Sequence, residues 1–249
     1  MMMHRSKLRA VRAMLTHSQL APATAETSSR GDVARDKMLR AALDVFGEHG
    51  FAAATTRMVA QAANMNLGAI PYYFGSKEEM YTQAAKFLAA HIEQHQAEPL
   101  LALRQGTAAP QCSRGDLIEH AVQFMLSQAR MLLSGQVKAS WVQFFLRAQA
   151  ENNAAFERIF AHTIEPVQAT LTEVVGRITG CTPDSVETRT LTFLIFHQVM
   201  SLRLADTVLL RRLNWQAINP QRLETLLNIM GQALRAQLSA YSPCSDATP

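Results

Sequence analysis

Residues 55–79, TTRMVAQAANMNLGAIPYYFGSKEE, carry the start and stop signals of three successive helices. The Thr55 hydroxyl can accept hydrogen bonds from the free amides of a short helix that begins at Thr56. Asn64 tolerates the left-handed conformation that ends a helix, and Asn66 is a good N-cap for a second helix from Leu67 to about Phe74. The stretch therefore predicts two short helices joined by a tight turn.

The flanking residues extend this pattern on both sides. Ser76 and Glu79 have the spacing of a capping box, so a long helix is expected to begin at Ser76. Upstream, apolar residues recur at helical spacing from Gly31 to Gly50, where a glycine is placed to end the helix. Three helices of this kind predict a compact, homeodomain-like helix-turn-helix module of about 50 residues, the arrangement of a DNA reader.

Three segments of the sequence resemble one protein family. They are LRAALDVFGEHGF at 39–51, TTRMVAQAA at 55–63 and YYFGSKEEMY at 72–81. In this order and spacing they are similar to those of the TetR family of transcriptional repressors. Within the family, the residue pattern is most similar to the branch with a CecR-like C-terminal domain. The resemblance covers residues 32–81. It implies a non-enzymatic, cytoplasmic homodimer that leaves a palindromic DNA operator when a small-molecule effector binds.

The resemblance also implies which residues face DNA. Hydroxyl, amide and ammonium groups would hold phosphates, from Thr55, Asn66, Tyr73 and Lys77. Four other side chains would face base edges, namely Arg57, Leu67, Ala69 and Tyr72. The full DNA-facing set is Thr55, Thr56, Arg57, Asn66, Leu67, Gly68, Ala69, Tyr72, Tyr73 and Lys77.

Two residues depart from the family pattern. Asn64 replaces a glycine, which is tolerable because asparagine adopts positive φ more readily than most residues. Pro71 replaces a residue inside the second helix, where it would lose a hydrogen bond and crowd the Leu67 carbonyl. Either that helix starts late or it is bent.

Charge is weak support for DNA binding. The formal net charge of the chain is +4, and residues 1–30 alone account for it with five basic side chains and one acidic. Residues 32–80 carry five basic and six acidic side chains, a net of −1. DNA affinity would therefore come from charge placement, helix N-termini and the tail. Residues 1–30 are interpreted as a disordered basic tail, either an arm on the DNA or a solvated extension.

The rest of the chain predicts a larger helical domain over residues 81–240, followed by a disordered tail at 241–249. The first long helix is expected to end near Ala97, before Pro99, with a loop from Arg104 to Gly115. Further helices are expected at 116–133, 136–150, 153–179, 183–212 and 220–239, with a kink at Pro166. Thr182-Pro183 and Asn219-Pro220 would cap the last two. The 249-residue chain is therefore interpreted as all-α.

The last two helices carry an association signal. A leucine-rich stripe at helical spacing comprises Leu223, Leu226, Leu227, Met230, Leu234 and Leu238. Residues 191–210 are apolar around most of the helix circumference. The family resemblance assigns such helices to a homodimer interface, and the alternative is the core of a monomer.

Effector-binding candidates are aromatic and polar residues on the apolar helices. They are Phe124, Gln128, Trp141, Phe144, Phe145, Arg147, His162, Phe193 and His197. Plain core packing is the alternative for each. His91 and His95 share one helix face, but with no third ligand they are interpreted as exposed histidines near a helix end, so neither metal nor cofactor is expected.

Other features limit the function further. Cys112, Cys181 and Cys244 show no paired spacing, which indicates neither a zinc site nor a disulfide framework and fits a reduced cytoplasm. The sequence contains no run of 18 apolar residues, so a membrane span is not predicted. A phosphate-cradling glycine loop, a nucleophile elbow and a carboxylate cluster are lacking, which disfavours an enzyme. The remaining alternative is a helical interaction protein that has lost specific DNA binding.

Overall fold

The computed structural model describes residues 30–241, which form α-helices and one π-helical segment. The helices are α1 (Arg30–Ala53), α2 (Thr56–Ala62), α3 (Ala69–Phe74), α4 (Lys77–Gly106), α5 (Arg114–Leu133), α6 (Ala139–Glu151), α7 (Ala154–Ile159), α8 (Glu165–Thr179), α9 (Val186–Leu204), α10 (Asp206–Leu213) and α11 (Pro220–Ala240); the π-segment is Phe160–Ile164. The all-α prediction is confirmed.

By internal contacts the chain divides into residues 1–36 and 37–249. The described part of the first unit is the beginning of α1, and the second unit holds every other element. The tails predicted at 1–30 and 241–249 lie outside the described residues, apart from Arg30 and Tyr241.

The first two helices follow the predicted signals closely, whereas the N-cap of α3 is Gly68 and not, as predicted, Asn66, whose side chain accepts from the Gly68 amide (2.9 Å). Gly50 leaves helical geometry at φ 76°, so the regular part of α1 ends at the glycine that the sequence marks as its stop. Phe51–Ala53 add one further turn. Buried Leu39, Leu43 and Phe46 of α1 join buried residues of α2 and α3 in one apolar core.

Pro71 sets the start of α3. The helix begins at Ala69, two residues later than the predicted Leu67, which makes Pro71 its third residue. At that position a backbone N–H has no intrahelical acceptor, so the missing donor of proline costs no helix hydrogen bond. The first two amides of the helix donate to carbonyls three residues earlier. Ala69 donates to Asn66 (3.0 Å) and Ile70 donates to Leu67 (3.2 Å).

Helix α4 runs further than predicted. It continues through Pro99 to Gly106, so the expected end near Ala97 is wrong and the connecting segment shrinks to residues 107–113. Gln96 and Leu103, on either side of the proline, are both buried. Tertiary packing therefore outweighs the local cost of a proline. At its start the Ser76 hydroxyl accepts from the Glu79 amide (3.1 Å), but the Glu79 carboxylate accepts from Gln83 (2.9 Å), so only half of the predicted capping box forms.

Helix α5 is the centre of the larger domain. It packs against α4, α8, α9 and α11 and has buried residues over a broad side, whereas Gln123 and Arg130 are exposed on the other. The leucine stripe of α11 is buried within the chain, where this helix packs most extensively on α5. For that stripe the prediction of a dimer surface is wrong, and the alternative of an intrachain core holds.

The C-terminal helices are more broken than the periodicity suggests. The predicted helix 153–179 is divided by the π-segment just before Pro166, and α9 is capped by Ser185 rather than by Thr182. Asn219 caps α11 as predicted, with its side chain accepting from the Arg222 amide (2.9 Å). No single helix within residues 30–241 has the length and hydropathy to cross a membrane, although α9 and α10 reach those values together across a 73° bend.

The cysteines differ from the prediction. Cys112 is a free thiol, whereas Cys181 is disulfide-bonded. Disulfide formation depends on the separation of two residues in space, which sequence spacing does not reveal for distant cysteines.

Candidate functional site

The turn between α2 and α3 is held by local hydrogen bonds. The Thr55 hydroxyl accepts from the Met58 amide at 3.2 Å and starts α2. Asn64 at φ 48° ends it: the Met65 amide donates to the Ala60 carbonyl (2.9 Å) and the Asn64 amide to the Gln61 carbonyl (3.0 Å). This pair of bonds is a Schellman motif, which reverses the chain sharply without glycine.

Side chains of α2 and α3 form an exposed surface. Tyr72 is 80% exposed and Leu67 is 40% exposed. Arg57, Gly68 and Thr55 are also exposed, and Thr56 and Ala69 are half-buried. The structure thus brings the predicted DNA-facing residues together on two short helices and their turn.

Tyr73 and Lys77 lie at the edge of this surface and are half-buried. The Tyr73 ring packs edge-on against Tyr72, with centroids 5.0 Å apart. The Lys77 ammonium donates to the Ala52 carbonyl (3.4 Å) and lies 4.5 Å from the centre of the Phe51 ring. An ammonium has three donors, so this contact leaves donors for a phosphate.

Asp44 of α1 is held by three donors from the start of α6. Its carboxylate accepts from Ser140 Oγ (2.6 Å), Trp141 Nε1 (3.0 Å) and Lys138 Nζ (2.8 Å). The Trp141 side chain is buried, and its N–H finds its acceptor in this carboxylate. The first helix of the three-helix module is therefore fixed to α6 of the larger domain.

A second contact lies one turn further along α1, at Gly47. A Cβ on Gly47 would overlap the Ser140 carbonyl, so only glycine permits the two backbones to approach this closely. Arg147 Nε donates to the Gly47 carbonyl (3.0 Å) and its terminal nitrogen donates to the Glu48 carbonyl (3.3 Å), which satisfies acceptors near the carboxyl end of α1. We name Asp44, Gly47, Ser140, Trp141 and Arg147 the α1–α6 joint.

Aromatic rings fill the space beside the joint. The Tyr81 ring of α4 lies 5.1 Å from Phe46, 5.1 Å from Phe51 and 4.8 Å from Phe144, measured between centroids. Burial raises the pKa of the Tyr81 phenol, whose oxygen accepts from Asn153 at 3.3 Å. Helices α1, α4 and α6 thus meet in one aromatic cluster.

The larger domain contains a partly open apolar cavity of about 60 Å³, which we name the inner cavity. It lies among α4, α5, α6, α7, the π-segment and α9. Its polar side chains are Gln96, Gln128 and Thr163, all buried. Gln96 Nε2 donates to Gln128 Oε1 at 2.9 Å, and the Thr163 hydroxyl donates to the Ile159 carbonyl at 2.7 Å.

The structure separates the predicted effector residues into groups. Gln128 and Phe145 line the inner cavity, and Phe193 and His197 line an adjoining groove. Trp141 and Arg147 belong to the joint and Phe144 to the aromatic cluster. Phe124 and His162 border two other surface depressions.

Gln96, Phe196 and Met200 line the inner cavity and were not predicted. A signal for Gln96 exists in the sequence. Leu88, Ile92, Gln96 and Leu100 recur every four residues, so one amide interrupts an apolar stripe. A helix that ended near Ala97, as predicted, would leave Gln96 at its frayed terminus.

His91 and His95 are half-buried in mid-helix, which corrects the prediction that they are exposed near a helix end. His91 Nε2 lies 3.2 Å from the Gln136 carbonyl, and His95 Nδ1 lies 2.7 Å from the His91 carbonyl. Burial lowers the pKa of His91. Among residues 30–241 no group of three His, Cys, Asp or Glu side chains is placed to hold a metal ion.

Comparison with known proteins agrees with this arrangement. The model of the bacterial regulatory proteins of the tetR family matches residues 38–84, and the model of the HTH-type transcriptional dual regulator CecR, C-terminal domain, matches residues 116–241. The chain therefore belongs to the TetR family of DNA-binding transcriptional regulators, a family that is not enzymatic, and carries a CecR-type C-terminal domain.

Particular relatives are similar over different lengths. The HTH-type transcriptional dual regulator CecR of Shigella flexneri is 29% identical over 199 residues, which cover 79% of this chain and 87% of that protein. The HTH-type transcriptional repressor NicS of Pseudomonas putida strain KT2440 is 30% identical over 95 residues, covering 38% and 43%.

Crystal structures share the fold. A TetR-family regulator from Mesorhizobium loti MAFF303099 superimposes with a TM-score of 0.53 at 11% identity, covering 86% of this chain and 99% of that one. The fatty acid degradation regulator FadR of Bacillus halodurans gives a TM-score of 0.51 at 18% identity, covering 81% and 94%.

Proposed function

We propose that this protein is a dimeric repressor that binds a palindromic operator through α2 and α3 and releases it when a small molecule enters the larger domain. One observation carries the proposal: two helices that line the inner cavity also hold the DNA-binding module. Helix α4 contributes Gln96 to the cavity and Tyr81 to the aromatic cluster. Helix α6 contributes Phe145 to the cavity and Trp141 to the joint.

The exposed surface supports a division of DNA contacts. Arg57 and Tyr72 project from the two helices and would meet base edges, with Leu67 available to a thymine methyl group. Thr55, Asn66, Tyr73 and Lys77 would hold phosphates and fix the module on the duplex. We propose that the DNA reader spans residues 31–80 and that the effector and dimer domain spans residues 81–240.

Exposed apolar groups on the last long helices support a dimer. Phe193 and Leu194 of α9 are 50% and 46% exposed, and Ile229 of α11 is 61% exposed. Gln198 Nε2 donates to Gln237 Oε1 at 2.6 Å, so one side-chain bond links α9 to α11. A twofold dimer through this face would set two copies of α3 about one DNA turn apart, roughly 34–36 Å.

The dimer is tested by the mass of the protein in solution. Ile229→Glu places a charge on the proposed interface and is expected to give monomers in light scattering after size-exclusion chromatography. Leu101→Glu is the matched control, because Leu101 is 54% exposed on α4, away from that face. Equal masses for both variants, whether dimer or monomer, would contradict this interface.

Ligand entry would act through α4 and α6 together. A shift of either helix moves a side chain that contacts α1, so the spacing of the two reader modules changes. A coupling free energy of about 1–3 kcal/mol between the cavity and the operator is sufficient for a useful response.

DNA binding is tested by fluorescence anisotropy on duplex DNA from upstream of the protein's own gene, at several salt concentrations. We expect Arg57→Ala to weaken binding by about 1–3 kcal/mol and to relax sequence preference, while Tyr73→Ala and Lys77→Ala weaken binding to all duplexes about equally. Arg212→Ala, an exposed arginine on α10, is the control of equal charge and should bind as the parent protein does.

Two results would redirect the proposal. Weak binding that is equal on unrelated DNA and indifferent to Arg57→Ala and Tyr73→Ala would favour the alternative, a helical interaction protein that has lost specific DNA binding. Specific binding that raises transcription from the operator in a reporter assay would contradict the repressor assignment, while leaving the DNA reader in place.

A further inference from the structure

We propose that the effector is an uncharged, mainly apolar small molecule that carries one amide-like or carbonyl group, recognised by the Gln96–Gln128 pair. This inference rests on the proposed function, because it names the ligand class of the same cavity. It is carried by the chemistry of the cavity wall.

The wall of the inner cavity excludes charge. All of its lining side chains, within the described part of the chain, are apolar or neutral, and the polar ones are two amides and one hydroxyl. Moving an ion from water into such surroundings costs several kcal/mol unless a partner charge is present. The groove that adjoins the cavity, with a volume of about 330 Å³, is likewise lined by residues other than Asp, Glu, Lys and Arg. Among the described residues that line the groove only His197 is titratable, so a carboxylate or ammonium compound would be disfavoured chiefly in the inner cavity itself.

The amide pair supplies the polar recognition. A carboxamide has two donors and an oxygen with two lone pairs. The bond between Gln96 and Gln128 uses one donor and one lone pair, and Gln128 Nε2 also donates to Ser127 Oγ at 3.3 Å. A ligand carbonyl or amide can add to the remaining positions or replace the bond between the two side chains. The Thr163 hydroxyl donates its only hydrogen to the Ile159 carbonyl, so it can accept from a ligand N–H but cannot donate to a ligand carbonyl.

The side chains between the inner cavity and the groove determine how a ligand enters the cavity and how large it can be. Phe145, Ile164, Phe196 and Met200 line both spaces, so they form the partition. Methionine is unbranched and adaptable, and a rotation of the half-buried Met200 would join the two spaces. The inner cavity of about 60 Å³ is smaller than the roughly 150 Å³ that accommodates benzene in an engineered core, so larger ligands need this opening.

The test uses matched amide and carboxylate probes of equal heavy-atom count and rising size: acetamide and acetate, isobutyramide and isobutyrate, benzamide and benzoate. Binding to the full-length protein is measured by isothermal titration calorimetry and, in parallel, by release of operator DNA. At least one amide is expected to bind about a hundredfold more tightly than its carboxylate. Gln96→Leu is expected to weaken that amide about tenfold, whereas Gln94→Leu, exposed on the same helix, leaves it unchanged.

The outcomes separate this inference from the proposed function. Equal or tighter binding of the carboxylates, amide binding that ignores Gln96→Leu in a variant with parental circular dichroism, or no binding by any of the three amides would overturn the ligand class. Selective amide binding without any effect on operator affinity would sustain the ligand class and contradict the ligand-responsive repressor. If Gln96→Leu fails to fold, Gln128→Leu with Gln123→Leu as its exposed control on α5 decides the same point.

Discussion

The α1–α6 joint and the inner cavity both use residues of α6, but the joint consists of hydrogen bonds and the cavity of apolar side chains. The joint is a set of directed bonds, with three donors on Asp44 at 2.6–3.0 Å and a backbone approach that only glycine permits. The cavity is apolar and contains one amide pair. Directed bonds fix one geometry, whereas apolar walls tolerate repacking, so α6 combines a rigid attachment with an adaptable site.

The adjacent residues Phe144 and Phe145 offer the sharpest comparison and the largest effect. Phe144 is buried in the aromatic cluster, whereas Phe145 is half-buried at the cavity partition. We expect Phe144→Ala to lower the free energy of unfolding by about 3–5 kcal/mol, because it opens a void among rings that pack tightly. Urea unfolding followed by circular dichroism gives the value, and a loss below that of Phe145→Ala would reverse the assignment of the two residues.

Removal of the Asp44 carboxylate breaks the joint itself. Asp44→Ala leaves the buried Trp141 N–H and the Ser140 hydroxyl without their acceptor, and we expect a loss of about 2–3 kcal/mol in unfolding free energy. Asp184→Ala is the control, since its carboxylate is 88% exposed and pairs only with Arg189 at the surface. Thermal unfolding curves that shift equally for both variants would show that the joint adds nothing to an ordinary surface contact.

Phe145→Ala examines the cavity side. Its ring already borders open space, so we expect a smaller loss of about 1–2 kcal/mol, because less packing disappears with the side chain. The same variant merges cavity and groove, so it should bind the larger probe, benzamide, more readily than the parent does in calorimetry. An unchanged preference among the probes would mean that Phe145 is not part of the partition.

The contact between Glu119 and Arg235 links α5 to α11. As an exposed ion pair, it offers a comparison for the free energy of unfolding that the α1–α6 joint contributes. The two hydrogen bonds from Arg235, both 2.8 Å, and a third from Gln123 lower the pKa of Glu119 to about 2. Because both side chains are more than 40% exposed, we expect Glu119→Gln to cost less than about 1 kcal/mol at neutral pH.

The pH dependence of this pair has a definite sign. A carboxylate with a lowered pKa in the folded state stabilises above its unfolded value, and this contribution disappears as the pH falls from about 4.5 towards about 2. The difference in melting temperature between the parent and Glu119→Gln should therefore shrink over that range. Glu157→Gln, at an exposed position on α7, serves as the control, and a difference that grows on acidification would contradict the assignment.

Local signals in the sequence predict the reader module well. Thr55, Asn64 and Ser76 each act on amides within a few residues, so their caps follow from the side chain alone. Pro99 and Gln96 show the limit of this approach, since packing of α4 against its neighbours decides both the length of the helix and the burial of the amide. Trp141 and Arg147 resemble ligand-site residues in the sequence. Only the position of α1 shows that Trp141 donates to Asp44 and that Arg147 donates to the Gly47 and Glu48 carbonyls.

The late start of α3 has a consequence for the information that one module can read. A helix of six residues spans about 9 Å, which equals the rise of about three base pairs. So short a segment cannot distinguish one site among the millions of competing positions in a genome. In the proposed dimer, selectivity would come from two half-sites and from the deformability of the DNA between them, so the proline would limit the operator sequence as well as the backbone of the protein.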